Sequence, residues 1–463
     1  MSPPEAHRLS PLPAGLIPLL IAVLAVLQLL IFWPGVITPD SLSQYAQAIS
    51  GHYEDWHPPV MAFLWRQLGW LAPGQAPFLV MLALLYWSGA LLLADGLRRR
   101  HRPGAALAVI AIVAMPVAFG EMGSVIKDSL LTACCLAAVG LTVQGSRPAR
   151  LIAAGLLIIA AATRFNAVFA AAPLLVWVIA DRRQAARWRQ GGLVILALGL
   201  LGLSTWLINQ AALAPRRTHP MISLVTFDLA GIIAHGGKAS IPPMSRAASV
   251  ALTARCYTPA QFNPRYREDC DDAQGDLATA TGGRLTRSWL TAIVQDPLPW
   301  LRHRLAHLDR NWRFLVAQVP DDAIYIMTTP ANNLGLAYRP SPGATAVYRA
   351  ASLLAASPLG RPATWMVVAA GLILLASSCR CRGAVTALAL SALLYGGAYG
   401  IVSVAPDLRY NLWTMLSAAL GLAIAAPDLA DAPRRRLLWS AAAVGMVMLL
   451  ETVWLVLALP APA

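Results

Sequence analysis

Charge is scarce in this chain. Only 13% of its 463 residues are Asp, Glu, Lys or Arg, and 57% are hydrophobic; soluble globular domains carry roughly a quarter charged residues. With a mean hydropathy of +0.59, this composition excludes an ordinary soluble globule and leaves a polytopic membrane protein. Acids are scarcer than bases, 22 against 36, for a net charge of +14. That excess would suit nucleic acid, but the placement of the arginines argues for membrane topology and against a nucleic-acid partner. Cysteine is limited to six residues, with no second C-x-x-C and no suitably spaced His pair, so a structural zinc site fits poorly. No internal repeat of the kind carried by inverted-repeat transporters is visible. The first apolar run, 14–33, is interrupted only by uncharged Gln28 and lacks a small-residue cleavage site, so it reads as a retained helix and not a signal peptide.

Arginines cluster in short hydrophilic gaps: Arg98, Arg99, Arg100 and Arg102; Arg147 and Arg150; Arg182, Arg183, Arg187 and Arg189; Arg380 and Arg382; and Arg434 to Arg436. Counting apolar spans between them puts every cluster on one side, which the positive-inside rule makes cytoplasmic. The implied spans are 14–33, 76–97, 104–120, 125–143, 150–163, 165–180, 191–209, 363–379, 384–403, 411–426 and 437–458. The expected fold class is therefore an all-α polytopic membrane protein of about 11 transmembrane helices, N-in and C-out, with extramembrane loops on the opposite face. Three regions follow: an N-terminal transmembrane module over 1–209 with a first external loop at 34–75, a large external segment over 210–362, and a C-terminal transmembrane module over 363–463.

Within the large segment, Trp289 to Val316 reads as one helix with Trp289, Ile293, Trp300, Leu301, Leu305, Leu308, Trp312 and Leu315 on an apolar side, interleaved with Arg302, Arg304, Arg310 and Arg313. Such a helix either lies on the lipid surface or packs in a small extramembrane subdomain. Cysteine usage separates compartments: Cys134 and Cys135 lie in a span, Cys379 and Cys381 flank a cytoplasmic arginine, and Cys256 and Cys270 lie in the external segment. The last pair is expected to form a disulfide, which an oxidising bacterial periplasm permits.

The densest chemistry follows the first span. Pro39-Asp40-Ser41 and then Asp55-Trp56-His57-Pro58 set an acid and a histidine at the membrane surface. Asp40 is a candidate catalytic base, with helix capping as the alternative or additional role. Three external turns carry the other candidates: Lys127 and Asp128 in Ser124-Val125-Ile126-Lys127-Asp128-Ser129, Arg164 and Asn166 in Thr163-Arg164-Phe165-Asn166, and Asp407, Arg409 and Tyr410 in Pro406-Asp407-Leu408-Arg409-Tyr410.

These four motifs, in this order and on one membrane face, resemble the GT-C glycosyltransferase superfamily, in particular bacterial members that use polyprenyl-phosphate sugars as donors. The resemblance covers most of the chain, and the large external segment departs from it most. It implies an acid-bearing first periplasmic loop with Asp40 as the catalytic Asp, and Lys-Asp, Arg-x-Asn and Asp-x-Arg-Tyr elements at the positions just named. It also implies an enzyme of the bacterial inner membrane, with its site facing the periplasm and with a polyprenyl-phosphate sugar and a lipid or glycan acceptor as partners.

The chemistry such a transfer needs matches the residue types. A base takes the proton of the acceptor hydroxyl, the role of Asp40, and cations stabilise the departing phosphate, the role of Lys127, Arg164 and Arg409. Direct displacement inverts the anomeric centre and needs one carboxylate, because phosphate is already a good leaving group. His57 either orients Asp40, binds donor phosphate, or is an exposed ring at a helix start. Lys127 with Asp128 reads otherwise as a local ion pair, and Arg409 with Tyr410 as an interfacial anchor. No cofactor is indicated, although Glu54 and Asp55 could hold a divalent metal weakly. The competing readings are a lipid-linked glycan ligase or polymerase, and a transporter or flippase, which would place ionisable groups near the bilayer midplane.

Overall fold

A computed structural model of the chain describes residue 13 and residues 15–179, 187–262, 283–317 and 323–459. Among these the protein is helical throughout, with three isolated backbone bridges and no strand. The elements used below are α1 (Leu16–Phe32), α2 (Pro39–Ser50), α3 (Val60–Leu68), α4 (Ala76–Arg99), α5 (Pro103–Val113), α6 (Pro116–Glu121), α7 (Lys127–Gln144), α8 (Arg147–Ala162), α9 (Val168–Ile179), α10 (Arg187–Trp206), α11 (Met221–Ala234), α12 (Arg246–Cys256), α13 (Gly283–Gln295), α14 (Pro297–Trp312), α15 (Pro342–Ala355), α16 (Pro362–Leu375), α17 (Arg382–Val402), α18 (Leu412–Ala425) and α19 (Arg434–Val456).

Helices occupy all eleven stretches expected to span. Five helical stretches among the described residues are long and apolar enough to cross a membrane: Ala76–Arg99, Gly191–Ala212, Arg382–Val402, Leu408–Asp431 and Arg434–Val456. The others are shorter. The 104–120 stretch is divided, because Pro116 lacks the N–H needed to continue α5 and starts α6 instead. α7 is buried on nearly every side, between α4 and α8, whereas α19 buries only Ser440 and Glu451 and presents the rest of its apolar surface outward. An apolar outward face is what lipid accommodates and water does not.

α7 gives the molecule its polarity. It begins at Lys127 and ends at Gln144, beside Val143, whose carbonyl accepts a hydrogen bond from Arg100 at 2.7 Å. Arg102 pairs with Asp428 at 2.8 Å, and Asp428 also accepts the Arg380 N–H at 2.9 Å, so two arginine clusters distant in sequence meet at this end. At about 1.5 Å per residue, the 18-residue α7 sets them roughly 27 Å from Lys127. Arg182 and Arg183, and the side chains of Arg187 and Arg189, lie outside the described residues.

The segment over 210–362 contributes a second, smaller core in which Phe227, Ile232, Leu252, Cys256, Leu285 and Ala292 pack with Trp289 and Trp300. The single helix expected over 289–316 is two helices. Asp296 leaves helical geometry at φ −125° and ψ 59°, and Pro297 opens α14. Its expected apolar side is divided as well: Trp289, Ile293 and Trp300 pack into this core, while Leu301 and Leu305 are exposed. Arg304 and Arg313, expected on a polar side, are buried. Cys256 is buried and disulfide-bonded. Cys270 lies outside the described residues, so its pairing with Cys256 stays an expectation. Cys134, Cys135, Cys379 and Cys381 are free thiols.

Candidate functional site

The first loop is fastened to the turn before α7 by backbone. Val36 N–H donates to the Gly123 carbonyl and Val125 N–H to the Val36 carbonyl, both at 3.0 Å, and the Ser41 hydroxyl donates to the Val125 carbonyl at 2.7 Å. Glycine is required on both sides of this zipper. Gly35 has φ +120°, and a Cβ there would meet Val125 at 2.8 Å; a Cβ on Gly123 would overlap the Phe32 ring. The zipper sets the first turn of α2 beside the first turn of α7, which brings Asp40 to Lys127.

Capping of α2 falls to neighbours of Asp40. Thr38 is the N-cap, and its side chain exchanges a capping box with Ser41. Asp40 sits in the first turn, where the helix macrodipole favours a negative charge, and its carboxylate remains available.

Three cationic or hydrogen-bonding groups surround that carboxylate. Lys127 Nζ lies 3.3 Å from Oδ2, His57 Nε2 is 3.5 Å from Oδ1, and Arg409 Nη2 is 3.7 Å from Oδ2. Lys127 Nζ is also 2.8 Å from His57 Nδ1. A protonated Lys127 donates to Nδ1, which places the imidazole proton on Nε2, toward Asp40. Two of the three ammonium donors are then used, and one is left for a ligand. Arg409 is fixed by Asp407, at 2.8 Å from Nη2 and 3.0 Å from Nε, and lies 4.7 Å from the Tyr325 ring centroid.

Behind this tier is a second. Arg164 pairs with the buried Asp128 and lies 4.1 Å over the Tyr410 ring, which stacks on Tyr399. Asn166, also buried, adjoins Tyr399. Asn209 links the α3 start to the α8 end, accepting from Val60 N–H at 3.2 Å and donating to Ala162 O at 2.9 Å. It thereby holds His57 and Arg164, on either side of it, in register.

Asp40 is the open member of the cluster, with its side chain 32% exposed against 8% for Arg409. Burial would raise its pKa, but the charge of Lys127, the hydrogen bond from His57 and the charge of Arg409 hold it well below the usual carboxylate range. Burial and then Lys127 lower His57 below 6.5. The candidate residues Asp40, His57, Lys127, Asp128, Arg164, Asn166, Asp407, Arg409 and Tyr410 thus come together in one connected, two-tier cluster.

Glu54 and Asp55 are engaged elsewhere: Glu54 pairs with Arg216 at 2.6 Å, and Asp55 accepts from the Thr218 N–H and hydroxyl. Among the described residues no group of three or more His, Cys, Asp or Glu side chains is arranged to hold a metal ion.

Besides Asn209, four contributors were not read from the sequence. Tyr325, from the 210–362 segment, packs under Arg409 and lies 3.5 Å from Asp407. Glu121 is buried with no side-chain hydrogen-bond partner for its carboxylate; burial pushes its pKa up to about 8, against the charge of Arg409 and the backbone N–H of Tyr325. Asn311 and Asn411 clamp the loop that carries Arg409. Asn311 donates to Ser403 Oγ and Ala405 O at 3.1 and 3.2 Å, and Asn411 donates to Asn311 Oδ1 at 2.7 Å. An isolated Tyr in an irregular segment and single Asn residues at helix ends carry no pattern; an acid closing an apolar run, as Glu121 does, is a usable signal.

No protein-family model matches the chain, and neither does any curated protein or solved structure.

Proposed function

We propose that this chain is an integral-membrane glycosyltransferase of GT-C type in the bacterial inner membrane. It moves a sugar from a polyprenyl-phosphate donor to a lipid or glycan acceptor at the periplasmic face, with inversion. The observation that carries the reading is the meeting of Asp40, His57, Lys127 and Arg409 around one accessible carboxylate, at the end of the apolar helices opposite the arginine clusters.

Asp40 takes the acceptor hydroxyl proton as that oxygen attacks the anomeric carbon. The bond from that carbon to the donor phosphate breaks, and its electron pair leaves with the phosphate oxygen. Lys127 and Arg409 neutralise the charge gained by the leaving polyprenyl phosphate. The same cations restrain Asp40 before the donor binds, so donor phosphate competes for them and returns basicity to the carboxylate. His57 holds Asp40 in position through Nε2–H. Apart from the arginine clusters and their partners Asp95 and Asp428, ionisable groups crowd the outer ends of the helices; Glu451, in the last span, lies within two turns of the end of α19. That distribution supports an interfacial enzyme over a transporter or flippase.

The test is the mass of surface glycolipid or lipopolysaccharide from a deletion strain, from the strain complemented with the wild-type chain, and from one complemented with Asp40→Asn. A single hexose, pentose or aminosugar increment restored only by the wild type is expected. A ladder of repeat units would identify a ligase or polymerase instead, and full restoration by an inserted Asp40→Asn protein would overturn the assignment of the base.

A further inference from the structure

α13 and α14 each bury one side in the second core, through Leu285, Trp289, Ala292, Ile293 and Trp300. Their other side carries an aliphatic stripe in two parts, Leu290 and Val294 four residues apart on α13, and Leu298, Leu301 and Leu305 three and four residues apart on α14. All five are 45–80% exposed. Leaving side chains of this size in water forgoes the free energy of burying them, so the stripe has a drive toward an apolar phase.

The polar groups beside the stripe have one sign. Arg284, Arg287 and Arg302 are exposed along it. The acids of the same stretch are occupied by backbone: Asp296 accepts the Lys238 N–H at 2.7 Å and Asp309 the Leu315 N–H at 2.9 Å. The height of the stripe is fixed by the far end of α14. Trp312 Nε1 donates to Gly396 O at 2.9 Å, Leu308 lies against Gly400, and Arg304 donates to Ser403 O at 2.9 Å. These contacts hold α14 on the last turns of α17, a helix long and apolar enough to cross the bilayer, at the end from which the Arg409 loop emerges.

We propose that α13 and α14 form an interfacial unit, with the Leu290 to Leu305 stripe seated in the acyl boundary of the leaflet bordering the Asp40 cluster and the flanking arginines on anionic phospholipid headgroups. An aliphatic stripe with an arginine border, held at the end of a spanning helix, fits a lipid surface. Because Asn311 follows directly on the same helix and clamps the Arg409 loop, the unit also holds that loop at headgroup height. The inference needs a membrane and does not depend on glycosyl transfer.

The experiment places a photoreactive amino acid, p-benzoylphenylalanine, at Leu298 or Leu305 of the full chain in nanodiscs of phosphatidylethanolamine and phosphatidylglycerol. The same probe at Leu449, exposed on α19, is the positive control. After irradiation, mass spectrometry of peptides should find phospholipid adducts at both positions, with phosphatidylglycerol enriched about 2- to 5-fold over its mole fraction, as roughly one charge contact predicts. Adducts to peptides of a second copy or of residues 263–282, or no lipid adduct where Leu449 gives one, would overturn the seating. Phosphatidylglycerol captured only at its mole fraction would overturn the headgroup contact.

Discussion

Two clusters in this molecule join a carboxylate, a histidine and an arginine, and they are built to opposite ends. Around Asp228 the partners are close and closed. Trp289 and Trp300 donate indole N–H at 2.7 and 3.2 Å, His303 Nε2 lies at 3.1 Å, Arg304 pairs directly, and Asp228 and His303 are 1% and 0% exposed. Tyr257 completes the shell at 2.9 Å from His303 Nδ1. Around Asp40 the charged partners stand off at 3.3 to 3.7 Å, and the carboxylate is open to solvent. Identical residue types therefore serve different ends. A carboxylate with its partners at hydrogen-bond distance and no route to solvent is part of the second, smaller core. One held by charges at longer range, with an unused ammonium donor beside it, is arranged to exchange partners with a ligand.

The sharpest way to break this comparison is to make the same change in both clusters. Asp40→Asn should lower transfer about 10²–10⁴-fold with insertion and melting unchanged, since Thr38 and Ser41 retain the cap. Asp228→Asn should do the reverse. Removing one partner of a buried pair costs about 3–5 kcal/mol, so yield and melting midpoint fall while the surviving folded protein keeps its turnover. Paired melting curves and activity per folded molecule check both. Comparable stability losses for the two variants would end the distinction.

Arg409 grades the open cluster more finely. If its guanidinium meets two phosphate oxygens, Arg409→Lys keeps the charge but loses the fork and should cost about tenfold in kcat/KM for the donor. Arg409→Ala should cost about 10- to 150-fold, the range of a lost charged hydrogen bond. Equal losses in steady-state kinetics would show that position, and not charge, is what Arg409 supplies.

How far the sequence prefigures this site depends on the range of each contact. The four turn motifs are local, so their residue types are legible from the sequence, and order and arginine placement give them a common expected face. Their joining is not. The Val36 to Val125 zipper and the Ser41 hydrogen bond span more than 80 residues and leave no periodic mark. The Thr38 cap was hidden behind the more conspicuous Pro39-Asp40-Ser41, although a hydroxyl three residues before another is itself a capping pattern. In the 210–362 segment, helical periodicity from Trp289 onward outweighs the breaking signal of Pro297 in the sequence, but the break is what the fold contains. Asp228 could have been noticed as the lone acid in the apolar Met221–Ala234 helix, since buried charges are paired. Its partners lie about 60 to 75 residues away and could not have been named.

His57 sharpens the contrast through pH. Its pKa is lowered in the fold, so the native state resists a proton that the unfolded chain accepts; the histidine costs stability as pH falls below 6.5 and nothing above it. Protonation at Nδ1 also sets a cation against Lys127 and disrupts the support of Asp40, while Asp40 itself stays ionised over the working range. The acid limb of kcat/KM should therefore lie below pH 6.5. His57→Gln should flatten it and lower the plateau only severalfold. An acid limb unchanged in that variant would assign the titration to another group.

Glu121 belongs to neither pattern, being buried behind the open cluster with no side-chain hydrogen bond to either oxygen. Its pKa is raised from 4.5 to about 8 by burial, only partly opposed by the charge of Arg409 and the backbone N–H of Tyr325. A raised carboxyl binds its proton more tightly in the native state than in the unfolded one, so stability is fully present below pH 4.5 and declines as pH rises toward 8. Glu121→Gln keeps the shape and removes the titration. The variant and the wild type should melt alike at pH 5, and at pH 8 the variant should be more stable by an amount on the order of a few kcal/mol. Melting midpoints in detergent across that range are the measurement. A constant offset between the two proteins would mean that Glu121 is charged throughout and paired with Arg409, which would make it a fourth carboxylate of the open cluster.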